Sequence, residues 1–304
     1  MTPTQVSIIT PSLNQGEFIE QTVQSVRQQT YPNIEYIVVD GGSTDGTLAT
    51  LGQYSITVLH EPQLNQSQAI NSGMARASGD IYAWLNGDDL YYPHTIATVV
   101  NYFDAHPEAM CIYGDVEVIG RRGKSYGRRP YVQLTTFDEL VHTRNRIVQP
   151  GMFWRADVWE RLGPLDESLE YVMDYEYWMR MAAHYPLHYL PVCLAQERLH
   201  PQGKTFGGAL DRIREIEQIA VRHGSSGIPV NFHAEAAAVY TASAWHDALT
   251  GQLTQARQLA GTAAALTPPP FKFLRHFFTA FTGRYAAYLW LIYNRLQNAH
   301  CERL

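Results

Sequence analysis

Asp88 and Asp89 stand side by side in "LNGDDLYYP" (85–93), at the end of the apolar run "DIYAWLN" (80–86). Two carboxylates that close repel each other unless something positive lies between or beside them. Acids recur at the same kind of place upstream. "VSIIT" (6–10) runs into Pro11 and Ser12, "IEYIVVD" (34–40) closes on Asp40, and "ITVLHE" (56–61) closes on Glu61. These short β-branched runs alternate with helix-like stretches, the pattern of βαβ units and a mostly parallel sheet. In such an open sheet, ligands bind outside the carboxyl ends of the strands, so the acids share one rim. A carboxylate rim facing an anionic ligand requires a bridging divalent cation, and hard oxygen donors favour Mg2+ or Mn2+ held jointly with substrate phosphates.

The elements that position this rim have their own signals. Asn14 is placed to cap a first helix with Glu17 as its box partner, and Phe18, Ile19, Thr22, Val23 and Val26 then fall on one helical face. "LNQSQAINSGMARASG" forms a third connecting helix that ends at Gly79, on which Ser67, Gln68 and Asn71 either reach a ligand or are solvated polar residues. "GGSTDGT" (41–47) is a Gly-rich turn without the spacing of a phosphate loop. Beyond residue 110, "MCIYGDVEVI" is strand-like, "RRGKSYGRRP" is a basic, turn-rich loop and "QPGMFWR" is a further strand. "MDYEYWMRMAAHY" (173–185) is a helix with Glu176 and Arg180 in the favourable i,i+4 order, and "LHYLP" (187–191) is a last short strand.

Composition narrows the class. The chain has 304 residues, 45% apolar and 17% charged, which excludes a disordered chain, and a net charge of −6 leaves no basic footprint for nucleic acid. Cys111, Cys193 and Cys301 are an odd set without CxxC spacing, so neither a disulfide framework nor a zinc site is expected and a reducing cytosol fits best. No signal peptide is expected at "MTPTQ". After about residue 205 the chain turns Ala-rich. The stretch "FHAEAAAVYTASAWHDALTGQLTQARQLAGTAAALTP" resembles one tetratricopeptide-type hairpin, and residues 271–298 form an aromatic helix carrying Lys272, Arg275, Arg284 and Arg295. That helix either packs on the core or docks at a membrane interface. Its "YAAYLWLIY" (285–293) is too short to span a bilayer.

"VSIITPSLNQGEFIEQTVQSVRQQTYPNIEYIVVDGGSTDGT" resembles the opening of family 2 glycosyltransferases of the GT-A fold, and "GDIYAWLNGDDLYYP" resembles their DXD-type metal motif. "QPGMFWRADVWERLGPLDESLEYVMDYEYWMRMA" is similar to the acceptor half of the family and "ERLHPQGKT" to its closing His segment, so the resemblance spans roughly residues 5 to 205. It implies a Rossmann-like α/β domain over 1–205, its mostly parallel sheet covered by helices on both faces. Residues 1–110 would form the nucleotide-sugar half, 111–205 the acceptor half, and 206–304 a helical appendage. The implied activity is inverting, metal-dependent transfer of one sugar from a nucleotide-diphosphate sugar, with UDP the commonest donor base. The acceptor would be a carbohydrate or lipid-linked sugar in bacterial cell-surface polysaccharide or glycolipid synthesis, at the cytoplasmic side.

Position by position, the resemblance implies that Pro11 and Asp40 border the base and Asp88 the ribose; Ser12 at the first strand's end, and Gln68 and Asn71 on the third helix, are further candidates for nucleotide contact. Asp89 would ligate Mn2+ or Mg2+ and His200 complete that ligation. Asp174 would be the general base, its alternative being a helix N-cap, while His200 could also be a surface loop residue. Asp115, Trp154, Tyr171, Tyr175 and Trp178 would face an acceptor sugar or simply be core residues. Arg121, Arg122, Lys124, Arg128 and Arg129 would meet an anionic acceptor or membrane, or be solvated. Gly41 stands where many members carry a second acid, Met173 where many have Glu, and no QxxRW motif accompanies them. Two rivals are weighed. A sugar-nucleotide pyrophosphorylase would need a basic Gly-rich loop where "TPSLNQGEF" stands, and a catalytically silent binding module would tolerate loss of Asp89 or Asp174, both of which are present.

Overall fold

A computed structural model describes residues 3–128, 136–200, 203–204, 208–250 and 252–266. The chain divides into two compact units, Met1–Gly207 and Gly208–Leu304.

The first unit is built on a nine-stranded sheet. Strands β1 (Val6–Ser12), β2 (Ile34–Asp40), β3 (Thr57–His60) and β4 (Ile81–Trp84) are mutually parallel in the order β3-β2-β1-β4. Their near-continuous apolar runs are what a sheet covered on both faces needs. Successive side chains alternate between those faces. Ile8 and Val38 join a core with Ile19, Val23 and Val26 of helix α1 (Ile19–Arg27) and Ile96, Val99 and Phe103 of helix α4 (Thr95–Ala105). Ile9 and Val39 point the other way, onto helix α3 (Gln66–Met74), at Gly73. Helix α2 (Thr47–Leu51) links β2 to β3.

Beyond β4 the sheet becomes mixed. A two-residue strand β5 (Leu90–Tyr91) precedes α4; β6 (Cys111–Gly120) and β7 (Ser125–Arg128) form a hairpin; helix α5 (Phe137–His142) leads to β8 (Met152–Arg155). Helices α6 (Ala156–Leu162) and α7 (Met173–His184) follow, and β9 (Leu187–Leu199) runs parallel to β6 and antiparallel to β5. The short strand expected at 187–191 is therefore thirteen residues long. Pro191, which ends the sequence signal, sits where the β6–β9 register jumps from Gly114↔Leu190 to Asp115↔Cys193, a bulge that spares proline a ladder hydrogen bond. The basic loop is an exposed hairpin arm that includes β7. Arg129 lies outside the described residues.

Asn14 does not cap α1. It adopts a left-handed backbone (φ 53°) and accepts from Thr44 N through Oδ1, while the helix starts at Ile19 without a side-chain cap. A true capping box occurs at α3, between Asn65 and Gln68.

In the second unit, helix α8 (Ala209–Arg222) buries Ile213, Ile216 and Ile219, and helices α9 (His233–Leu249) and α10 (Leu253–Ala265) pack together over Ala-rich faces. The aromatic segment 271–298 and Cys301 lie outside the described residues. No described helix is long and apolar enough to cross a membrane.

Gly73 permits the close seat of α3 on the sheet, since a Cβ there would lie 2.6 Å from Ile9 Cγ2 and 3.1 Å from Val39 Cγ2. Gly73→Ala is expected to destabilise the protein by about 1–3 kcal/mol in urea unfolding, despite the better helix propensity of alanine.

Candidate active site

The rim starts where β1 and β2 end in register, Ser12 opposite Asp40. Asp40 is fully buried, and its Oδ2 accepts from Gly42 N and Ser43 N at 3.0 Å, with His60 Nδ1 also at 3.0 Å. The positive φ of Gly42 (101°) forms the turn that aims these amides back at the carboxylate. Burial pushes the Asp40 pKa up, but the hydrogen bonds from Ser43, Gly42 and His60 outweigh it and hold the group below the usual carboxylate range. Asp40 Oδ1 and Ser12 Oγ are buried without a protein partner. Glu61, at the end of β3, is engaged locally by Ser72 and by Arg76 at 2.8 Å.

At the end of β4 the two adjacent acids part. Asp88 Oδ2 lies 2.9 Å from His200 Nε2, with side-chain exposures of 15% and 4%. Asp89 turns inward: Oδ1 accepts from Arg198 N at 2.9 Å and Oδ2 from Asn86 Nδ2 at 3.1 Å. Burial first, then the charges of Asp88 and Glu197, push the Asp89 pKa well above its ordinary value. Asp89, the expected metal ligand, thus has a protein donor on each oxygen, and the histidine expected beside it sits on Asp88. Strand pairing explains the division. β5 and β9 pair Leu90↔Gln196 and Tyr91↔Ala195. Carried two residues outward, that register sets Asp88 against Arg198.

Arg198 is almost wholly buried, with its guanidinium 5.0 Å from the Phe18 ring. Nε donates to Asp88 O at 2.9 Å, Nη1 to Arg121 O at 3.0 Å and Nη2 to Gln21 Oε1 at 2.9 Å. Asn86 extends the network by donating to Gln149 Oε1 and accepting from Gln66 Nε2, while Gln149 Nε2 donates to Trp84 O. Sequence reasoning missed Arg198, Asn86, Gln149 and His60. The one available signal was the R-x-H spacing of "ERLH", which puts Arg198 and His200 on one side of an extended chain.

Asp174 is the second residue of α7, half-buried, and its Oδ1 accepts from Tyr175 N at 2.7 Å. It is not the N-cap, which is Val172. One turn further, Trp178 stacks on Trp84 with centroids 5.4 Å apart. Trp84 ends β4, so this stack ties α7 to the strand that leads into the Asp88 turn, with Asp174 about 6 Å along the helix axis from Trp178.

The structure engages several expected ligand-facing residues elsewhere. Asn71 donates to Leu165 O and Glu167 Oε1 and accepts from Leu165 N; Gln68 closes the α3 capping box; Ser67 donates to Leu169 O. All three anchor segment 165–169. Trp154 and Trp178 are fully buried in one aromatic cluster, and Tyr175 is buried with its hydroxyl donated to Leu140 O, so the reading of these three as acceptor platforms gives way to core packing. Asp115 stays half-buried and accepts from Tyr189 OH at 2.6 Å. Arg121 pairs with Glu17 at 2.5 Å, and Arg122, Lys124 and Arg128 are exposed. Among the described residues, no group of three or more His, Cys, Asp or Glu is arranged to hold a metal.

This architecture is the GT-A fold. A structure of S. aureus TarS 1–349 in complex with UDP-GlcNAc is similar with a TM-score of 0.57 at 17% identity, over 78% of this chain and 72% of that one. A mannosyltransferase from Pyrobaculum calidifontis, in complex with GDP-Man and Mn2+, is similar with a TM-score of 0.55 at 20% identity, over 91% and 80%. An uncharacterized glycosyltransferase of Rickettsia prowazekii is 28% identical over 228 residues, 70% of each chain, and one of Haemophilus influenzae is 27% identical over 212 residues, 64% and 65%. The family model for glycosyl transferase family 2 matches residues 7–161, just over half of the chain, which belongs to that family and is a glycosyltransferase.

Asp40→Asn is expected to cost about 1–3 kcal/mol at pH 7 by removing a charged acceptor from three donors. Because the folded-state pKa of Asp40 is depressed, its stabilisation is complete above the unfolded-state value of about 3.9 and fades as pH falls through the folded-state value. Urea midpoints of the two proteins should converge only below about pH 4. A constant gap down to pH 2.5 would remove the charge of Asp40 as the cause.

Proposed function

We propose that this glycosyltransferase moves one sugar from a nucleotide-diphosphate sugar to a hydroxyl acceptor with inversion, assisted by Mn2+ or Mg2+, and that UDP is the donor nucleotide. The observation that carries the reading is the Asp88–His200 pair at the carboxyl end of β4, 2.9 Å apart and largely buried. Two donor atoms each about 2.1 Å from one ion and at right angles to each other lie about 3 Å apart, so the pair fits an octahedral edge. One carboxylate and one imidazole suit either ion, and leave most of the coordination sphere to diphosphate oxygens and water. This assigns the metal to Asp88 and His200 in place of Asp89. When bound, the ion supplies charge stabilisation to the departing nucleoside diphosphate.

Asp174 would take the proton of the acceptor hydroxyl as it attacks the anomeric carbon from the face opposite the leaving group. Its place in the first turn of α7 favours the ionised form through the helix dipole, which makes it a weak but available base and leaves much of the barrier to stabilisation of the leaving group. Asp40 and Ser12 would read the base. Asp40 Oδ2 already holds three donors, which leaves Oδ1 as a single acceptor beside the Ser12 hydroxyl. One acceptor and one hydroxyl match the imide N–H and flanking carbonyl of a pyrimidine such as uracil; guanine presents two adjacent N–H donors. Both atoms are covered in this structure, so the base must displace neighbouring chain to reach them. That the similar structures hold UDP-GlcNAc, or GDP-Man with Mn2+, supports the donor class. The reading includes a role in bacterial cell-surface polysaccharide or glycolipid assembly, with residues 1–205 as the catalytic domain and 206–304 as the appendage; the division at Gly207 supports that boundary.

Thermal melts with UDP, GDP or dTDP plus MnCl2 test the reading, with UDP expected to raise Tm most. Asp88→Asn should abolish the Mn2+-dependent part of that rise. Asp174→Asn should keep it while transfer falls by about 10²–10⁴-fold. If no nucleotide shifts the wild-type Tm, the donor reading fails, and if Asp174→Asn turns over normally, Asp174 is not the base.

A further inference from the structure

Arg198 ties the Asp88 turn to the end of β6 and to α1. Its guanidinium donates in three directions: to Asp88 O, to Gly120 O and Arg121 O at the end of β6, and to Gln21 Oε1 on α1. Its own amide donates to Asp89 Oδ1, and its face covers the Phe18 ring. Only a planar fork can satisfy carbonyls lying in these directions at once; a lysine ammonium is a point charge with a tetrahedral set of donors. Burying a guanidinium is costly without such acceptors. Burial pulls the Arg198 pKa down, and the neighbouring Asp88, Asp89 and Glu17 pull it back up.

The consequence falls on Asp88. The backbone carbonyl of that residue is fixed by Arg198 Nε while the next residue is fixed by the Arg198 amide, so the turn is gripped on both sides of the Asp88 Cα. What remains free is the carboxylate, turned to His200, two residues beyond Arg198 on the same side of the chain. We propose that Arg198 is a positioning residue for metal-dependent donor binding: it sets the separation of the Asp88 and His200 donor atoms before the ion arrives and supplies a positive charge beside the two acids until it does. This rests on the reading that Asp88 and His200 hold the metal. Residues that orient metal ligands from outside the coordination sphere cost about 10–100-fold in metal affinity when altered.

The test is calorimetric titration of UDP into the full chain at graded MnCl2, for wild type, Arg198→Lys and Gln21→Leu. Arg198→Lys is expected to raise the Mn2+ concentration at half-maximal UDP binding by about 10–100-fold. UDP binding without metal should stay unchanged, and kcat should recover largely at saturating Mn2+. Gln21→Leu removes one acceptor on the surface of α1 and should shift the Mn2+ requirement the same way by a smaller factor, with Tm unchanged. It keeps the test decisive should Arg198→Lys fail to fold. An unchanged Mn2+ requirement in a folded Arg198→Lys, or in Gln21→Leu where the former does not fold, overturns the proposal. So does a fall in metal-free UDP binding equal to that in Mn2+, which would mark general loss of structure. If wild type itself binds neither UDP nor GDP with Mn2+ dependence, the metal reading falls and this one with it. Metal dependence in wild type with no change in the variants sinks only the role of Arg198.

Discussion

A single buried guanidinium lies where four parts of the catalytic unit converge. Arg198 sits at the end of β9, accepts the Phe18 ring on its face, and donates to the Asp88 turn, to the end of β6 and to α1. Those segments lie far apart in sequence, and each offers the fork a backbone carbonyl or amide oxygen. Neutral acceptors satisfy the fork without cancelling its charge, and that residual charge lets two adjacent carboxylates coexist at a strand end. Asp89 is further quieted by being bonded on both oxygens and pushed toward its neutral form by burial. The repulsion implied by two neighbouring acids is thus resolved by giving them different surroundings, one dry and engaged, the other edging the solvent beside an imidazole.

The sheet supplies the second constraint. The parallel half, β3-β2-β1-β4, delivers Ser12, Asp40 and the Asp88 turn to one rim because all four strands end on the same side. The mixed half brings His200 to that rim from the opposite direction, through β9 pairing antiparallel to β5. Between the halves, the stack of Trp178 on Trp84 fixes the start of α7, and with it Asp174. The buried indoles hold backbone in place, a role that needs no contact with a sugar.

Much of this was legible in the sequence. The apolar runs marked β1, β2, β4 and α7 because buried parallel strands have little room for polar residues, and the acids at their ends marked the rim. The roles inside the rim were harder to read. Asp88 and Asp89 are chemically identical neighbours, and which one faces solvent is decided by a strand pairing with residues more than a hundred positions away. Gln68 and Asn71 looked ligand-facing because nothing local shows that segment 165–169 packs on α3. Trp154, Tyr175 and Trp178 suit a sugar platform or a core equally well by residue type; their burial is a property of the whole fold. Arg198 gave no signal beyond its spacing from His200, since a lone arginine in a strand is ordinarily a surface residue.

The bulge at Pro191 has a bearing on how this chain can vary. Between Gly114↔Leu190 and Val116↔Ala195, β9 accommodates three more residues than its partner strand, an odd number, so the side chains beyond the bulge face opposite to where unbroken pairing would send them. Arg198 and His200 face the Asp88 turn in the register that resumes beyond the bulge. That facing is held by the pairing beyond the bulge, Val116↔Ala195 through Gly120↔Leu199, so the bulge is where β9 takes up its extra length. Length variation should therefore be tolerated in the exposed β6–β7 hairpin arm, whereas beyond the bulge β9 is paired residue by residue with β6, and a change of count there would move Arg198 and His200 off the Asp88 turn.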